Sequence, residues 1–143
     1  MALDISVEGT REVHEGSEYV LYQMRVSNGQ WNQLIEKRYS QFLELHRVMK
    51  MRYHSSHLEK LPKFPGKKLL KHVFGGLSPS DIEERRRGLE EYMKQLEKNA
   101  CTKDSHYFLE FLQLPKAAAS SWMRYRNAVD HVRDSQKEEA VRI

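Results

Sequence analysis

The sequence predicts an α+β fold: a three-stranded antiparallel β-meander packed against a helical subdomain of three or four helices, with a Pro-rich loop among them. Three observations carry that prediction. Apolar and polar residues alternate through the first third of the chain, the apolar spacing lengthens to three and four from Ser40 onward, and Pro62, Pro65 and Gly66 interrupt the helical pattern inside a basic stretch.

In the meander, Leu3, Ile5 and Val7 alternate, as do Val20, Tyr22, Met24 and Val26, and Trp31 and Leu34 belong to the next run. His14-Glu15-Gly16-Ser17 marks the first turn. Ser27-Asn28-Gly29-Gln30 marks the second, because Asn and Gly both tolerate the positive φ that a tight hairpin requires.

A helix follows, with Ser40 expected as its N-cap and Phe42, Leu45, Val48, Met49 and Arg52 at helical spacing. From about His54 to Leu77 no period is sustained, and a connection of that length in a small domain is usually functional or unstructured. Ser78-Pro79-Ser80-Asp81 opens the next helix, with Ser78 as N-cap and Pro79 at the first helical position, where its missing N–H costs nothing. Ile82, Leu89, Tyr92, Met93 and Leu96 form its apolar stripe. A short helix over about 103–112 carries Phe108, Phe111 and Leu112, and Pro115 ends it.

Residues 1–115 therefore read as one domain and 116–143 as an amphipathic helical extension. In the extension Ala118, Trp122, Tyr125, Val129 and Val132 are spaced four, three, four and three apart. That seam fits docking onto the domain, pairing with another protein or a second copy, or lying on a membrane.

A chain of 143 residues with 39% hydrophobic and 31% charged content is that of an ordinary globular domain. No apolar run approaches the roughly 20 residues of a membrane span. The amino terminus lacks the basic-then-apolar pattern of a secretory signal, and the lone Cys101 rules out an internal disulfide, which together fit a cytosolic setting. Metal or nucleophilic catalysis finds no support: His54 and His57 have no carboxylate or cysteine at ligand spacing, and there is no phosphate-binding glycine loop or nucleophile elbow. The expectation is a protein that is not an enzyme and needs no cofactor or metal.

The net charge of +4 is unevenly spread. Residues 36–75 hold ten Lys or Arg against Glu36, Glu44 and Glu59, whereas residues 76–115 hold six against eight acidic side chains. A basic island of this kind attracts phosphates on lipid or nucleic acid, and charge alone fits a solvated lysine-rich face equally well. Within it, Arg38 stands beside Tyr39 where strand pattern gives way to helix pattern. A guanidinium fork suits a phosphate, and an aromatic face suits a sugar or inositol ring. Leu-Pro-Lys-Phe-Pro-Gly-Lys-Lys follows from Leu61, and Arg85-Arg86-Arg87 lies early in the second helix. Each has a plainer reading: Arg38 paired to Glu36 or to a helix acid, Tyr39 half-buried at a junction, Pro62-Lys63-Phe64-Pro65 a stiff turn or a ligand for a polyproline-binding domain, and the arginine triplet paired along its helix with Glu83, Glu84, Glu90 and Glu91.

Taken in order, three strands, Arg-Tyr-Ser-x-Phe from Arg38, the Pro-x-x-Pro loop ending in Gly-Lys-Lys, and Ile-Glu-Glu-Arg-x-x-Gly-Leu-Glu-x-Tyr from Ile82 resemble a phox-homology (PX) domain of the sorting nexin kind, over roughly residues 3–114. The resemblance implies a module that binds a phosphoinositide, most often phosphatidylinositol 3-phosphate, and sits peripherally on endosomal membranes for sorting and trafficking. It implies that Arg38 grips the 3-phosphate, Tyr39 packs beneath the inositol ring, Lys67 meets the 1-phosphate and Arg85 bonds the 4- and 5-hydroxyls. The stretch Lys68, Leu69, Leu70, Lys71, Val73 and Phe74 is where the family commonly touches the bilayer, and Leu77 is expected to fold over the core instead. The alternatives are nucleic-acid or general anionic-surface binding through residues 36–75, and a protein-interaction adaptor using the 118–132 seam. The lipid is the expected partner, with a protein partner or self-association through that seam in addition and nucleic acid not expected.

Overall fold

The computed structural model describes residues 3–53, 61–66, 77–99 and 101–114. Strands β1 (Asp4–Val13), β2 (Tyr19–Ser27) and β3 (Asn32–Arg38) form one antiparallel sheet in the order β1-β2-β3. Helices α1 (Tyr39–Tyr53), α2 (Pro79–Lys98) and α3 (His106–Phe111) follow, so the described residues hold the meander and three helices. The amphipathic extension at 116–143 lies outside the described residues.

The alternation in the sequence places the core. Leu3, Ile5 and Val7 of the first segment, Tyr22, Met24 and Val26 of β2, and Ile35 of β3 are buried. They meet Phe42, Leu45, Met49 and Tyr53 of α1, the whole expected stripe of α2 (Ile82, Leu89, Tyr92, Met93 and Leu96), and Phe108, Leu109 and Leu112 around α3. Leu34 was grouped with Trp31 by pattern, but it stands on the outer side of β3 and is 43% exposed. Cys101 is buried and takes part in no disulfide.

Two local expectations give way to different geometry. Asn28-Gly29 does not make a two-residue hairpin; the loop runs from Asn28 to Trp31, with only Gly29 at positive φ. Asn28 closes it with its side chain, whose Oδ1 accepts from the backbone N–H of Gln30 and Trp31, both at 2.9 Å. This is an Asx turn, the alternative that Asn offers through its own amide. Ser40 is not the cap of α1. The helix begins one residue earlier, directly from the strand, and the Gln41 side chain reaches back to accept from the Arg38 N–H at 2.8 Å. That is the back-reaching half of a capping box, and it fixes Arg38 at the hinge of strand and helix.

The third local expectation holds in full. Ser78 caps α2, its hydroxyl accepting from the Asp81 N–H while the Asp81 carboxylate accepts from the Ser78 N–H, and Pro79 occupies the first turn. Helix α2 also seals the outer edge of β1. Glu97 and Glu90 accept from the backbone N–H of Leu3 and Val7 at 3.1 and 3.0 Å, and Arg86 donates to the Val7 carbonyl. Edge groups otherwise free to pair with another strand are thereby satisfied.

Removing the cap should separate local from global stability. Ser78→Ala is expected to cost about 1 kcal/mol, within the usual range for lost N-caps, read as a lower urea midpoint with an unchanged slope.

Candidate functional site: an arginine-lined cleft

A cleft of about 460 Å³ opens where the turn between β1 and β2, the β3–α1 junction and the first turns of α2 come together. Its lining includes Arg38, Tyr39 and Arg85, three of the four headgroup-binding candidates. The fourth, Lys67, lies outside the described residues, as do Lys68, Leu69, Leu70, Lys71, Val73 and Phe74. Leu77 is half-buried against the core and reaches the cleft lining, as expected of it.

The plain alternatives for the arginines are decided by their neighbours. Glu36 is already held: Arg11 donates to it through Nε and Nη2 at 2.8 and 3.0 Å, across β2. That pair pulls the Glu36 carboxyl below its usual range and raises the Arg11 guanidinium. In α2, Arg86 and Arg87 both converge on Glu83, whose carboxyl their three hydrogen bonds hold down at about 2. Arg85 takes no part in that network. Among the described residues no carboxylate lies within ion-pair distance of Arg38 or Arg85.

Both free guanidiniums rest on aromatic faces instead. Cζ of Arg38 is 4.1 Å from the centroid of the Tyr19 ring, and Cζ of Arg85 is 3.8 Å from that of Tyr39. Stacking of this sort orients a guanidinium while leaving its N–H fork available at the edge. Tyr39 thus supports Arg85 with its ring. Burial pushes the Tyr39 phenol up, and Arg85 partly offsets this.

The same tyrosine ties the Pro-rich loop to the site. Its hydroxyl donates to the Pro65 carbonyl at 2.8 Å, and its ring lies 5.4 Å from that of Phe64. Phe64 in turn stacks on His46 at 5.0 Å and meets Tyr92 edge-on at 5.1 Å, while His46 Nδ1 and the Tyr92 hydroxyl are 2.8 Å apart. Beneath the loop, a Cβ added at Gly88 would lie 2.7 Å from Cβ of Pro65. Glycine at that position of α2 lets the loop lie flat on the helix.

Several lining residues escaped the sequence reading: Glu12, His14, Glu18, Tyr19 and Tyr22. Tyr22 reads as an ordinary strand residue, Tyr19 falls just before the alternating run that begins at Val20, and the acidic residues lie outside the basic island. Lys37, beside Arg38 in sequence, alternates to the opposite face. It is 8% exposed with Nζ 4.9 Å from the Phe111 centroid, and burial lowers its pKa. Among the described residues there is no cluster of three or more metal-ligating side chains, and no helix is long and apolar enough to cross a membrane.

Two guanidiniums without a carboxylate partner among the described residues, each on an aromatic ring, line a cleft at the end of a small antiparallel sheet in a module of α+β type. The family model of the PX domain matches residues 25–115, and the chain belongs to that family. Its members form a class of phosphoinositide-binding, membrane-targeting modules. Human sorting nexin-17 is 37% identical over 98 residues, which are 68% of this chain, and zebrafish (Danio rerio) sorting nexin-17 is 33% identical over 113 residues, or 79% of it. The chain spans 18% of the human protein and 22% of the zebrafish one. Among solved structures, a designed CISK-PX domain superposes with a TM-score of 0.66 at 27% identity, covering 78% of this chain and 99% of its own. The mouse SNX19 PX domain with bound sulphate ion gives 0.55 at 25%, covering 80% and 98%.

Two outcomes follow from the loop anchor. Gly88→Ala is expected to leave the fold cooperative yet displace the loop, shown by loss of the Phe64–His46 ring-current shifts in NMR spectra. Burial, then the charge of Lys50, lowers the His46 pKa, so the folded state favours the neutral ring. Its contribution is present above the ordinary histidine value of about 6.5 and is lost as pH falls from there through the depressed folded value. Urea midpoints between pH 7 and 5 should fall more steeply for the parent chain than for His46→Gln.

Proposed function

We propose that the cleft binds the headgroup of phosphatidylinositol 3-phosphate and so recruits the chain peripherally to endosomal membranes, in sorting and trafficking. The observation that carries this reading is the pair Arg38 and Arg85, left without a carboxylate among the described residues while every neighbouring arginine has one. In the proposed complex Arg38 takes the 3-phosphate through its fork, Tyr39 lies beneath the inositol ring beside the Arg85 stack, and Arg85 bonds the 4- and 5-hydroxyls. Lys67 would meet the 1-phosphate. A sulphate in the related mouse structure is a tetrahedral oxyanion of the phosphate's shape, and its presence there supports an anion as the ligand class.

The membrane would add two contributions to a small headgroup contact. Lysines of the 67–71 stretch would feel the anionic leaflet at about 1 kcal/mol each close to the surface. Leu69, Leu70, Val73 and Phe74 would enter the interface. A bounded cleft with carboxylates on one wall suits a single headgroup better than a nucleic-acid chain, which needs an open basic track.

Arg38→Ala tests the reading. It is expected to weaken binding to vesicles containing phosphatidylinositol 3-phosphate by roughly a hundredfold, the loss of charge-assisted bonds, with thermal unfolding nearly unchanged because the side chain is exposed. Undiminished flotation with those vesicles would refute the assignment.

A further inference from the structure

The cleft is lopsided in charge. Arg38 and Arg85 line it from the β3–α1 junction and from α2, while Glu12 at the end of β1 and His14 and Glu18 of the turn after it line the other side. His14 lies between the two carboxylates, with Nε2 3.6 Å from Glu12 and Nδ1 3.7 Å from Glu18. Among the described residues neither carboxylate is within ion-pair distance of an arginine.

The backbone explains how Glu12 comes to be there. A bulge between Val7 and Gly9 shifts the register of β1 on β2. Before it, Val7 pairs with buried Met24; after it, Thr10 pairs with buried Tyr22 and Glu12 with Val20. One extra residue therefore exchanges the faces of the remaining strand and turns an even-numbered glutamate toward the cleft.

At the floor lies Tyr22, 0% exposed, and its hydroxyl has no hydrogen-bond partner. It lines the cleft beside Arg85; burial pushes its phenol up, and the nearby Arg85 guanidinium, which makes no hydrogen bond of good geometry to it, partly offsets this. An unpaired buried hydroxyl is unfavourable and uncommon in folded proteins, and this one lies just beneath the cleft surface, where a small shift of the side chains over it would open it to a ring hydroxyl.

We propose that this wall reads hydroxyls: with the 3-phosphate taken by Arg38 and Arg85 donating to the 4- and 5-hydroxyls, Tyr22 hydrogen-bonds to the ring from the floor, and Glu12 and Glu18 accept from those ring hydroxyls and turn away a ring bearing a further phosphate. The proposal rests on the phosphoinositide reading of the cleft and extends it to the residues that set its selectivity. A carboxylate accepts readily from a hydroxyl. Replacing that hydroxyl with a phosphate converts the contact into repulsion between anions, which is how a site rejects a near relative of its ligand. Glu12 and Glu18 side chains are 59% and 84% exposed, so the repulsion is screened and should weaken as salt is raised.

The test titrates short-chain soluble phosphatidylinositol 3-phosphate, 3,4-bisphosphate and 3,5-bisphosphate calorimetrically into the full chain, into Glu12→Gln/Glu18→Gln and into Tyr22→Phe, at low salt. The double variant is expected to gain about tenfold in affinity for the bisphosphates relative to the monophosphate, the scale set by two screened carboxylates against a doubly charged phosphate. If the parent chain binds the monophosphate and that ratio does not move, the selectivity role of the glutamates is overturned and the phosphoinositide reading stands. If the parent chain binds none of the three, both fall together. Tyr22→Phe should bind the monophosphate about threefold to tenfold more weakly, the value of one hydrogen bond, with a melting temperature equal to or above the parent's, because the unpaired hydroxyl has left the core. Unchanged affinity, or weaker binding with a lowered melting temperature, would remove Tyr22 from the proposal.

Discussion

Glu36 is held by Arg11 across the sheet and Glu83 by Arg86 and Arg87 along α2, and the character of the cleft depends on those two commitments. Glu36 shares a strand face with Arg38, two residues on, and pairing between them would neutralise that arginine. Arg11 holds Glu36 instead, and Glu83 pairs with the arginines three and four residues on, whereas Arg85, only two residues on, projects from another face of α2. Arg38 and Arg85 keep their forks and lean on Tyr19 and Tyr39. An aromatic face positions a guanidinium at modest energetic gain and, unlike a carboxylate, does not compete with an incoming phosphate for its donors. Surface pairs of this sort contribute little to stability. Their value here is to sort one set of arginines from another.

The scaffold then holds these groups together although they are distant in the chain. Arg38 is fixed by a direct strand-to-helix junction that the Gln41 side chain closes. Arg85 is fixed because α2 is capped at Ser78, packed through Leu89 and Tyr92, and tied to β1 by Glu90, Glu97 and Arg86. The loop over residues 61–66 is clamped by Tyr39, His46 and Tyr92 and rests on Gly88. Packing and site are therefore one construction: Tyr39 supports an arginine with its ring and anchors the loop with its hydroxyl.

The elements with a clear period were legible. The α2 stripe and its cap matched residue for residue, since a Ser-Pro-x-Asp start and a helical stripe are local properties of the chain. The second turn and the start of α1 differed, because an Asn side chain and a Gln side chain satisfied backbone groups that pattern alone assigned to a hairpin and to Ser40. Pairing of the arginine triplet with Glu83 follows from helical spacing and is what Arg86 and Arg87 do, but the fate of Glu36 was not legible, because Arg11 reaches it across an intervening strand. Glu12 was hidden for a related reason: a bulge reverses strand parity, and the alternation before Val7 gives no warning of it.

By itself the sequence determined the class of fold, the apolar faces of its strands and helices, and the residue types able to hold a phosphate beside a ring. These follow from periodicity and side-chain chemistry, which act over a few residues. Only the tertiary structure decided which arginines stay unpaired, which tyrosine carries which cation, and that an acidic turn shares the cleft with them. Those outcomes depend on distances between segments tens of residues apart, and such distances exist only once the sheet, α2 and the loop have packed.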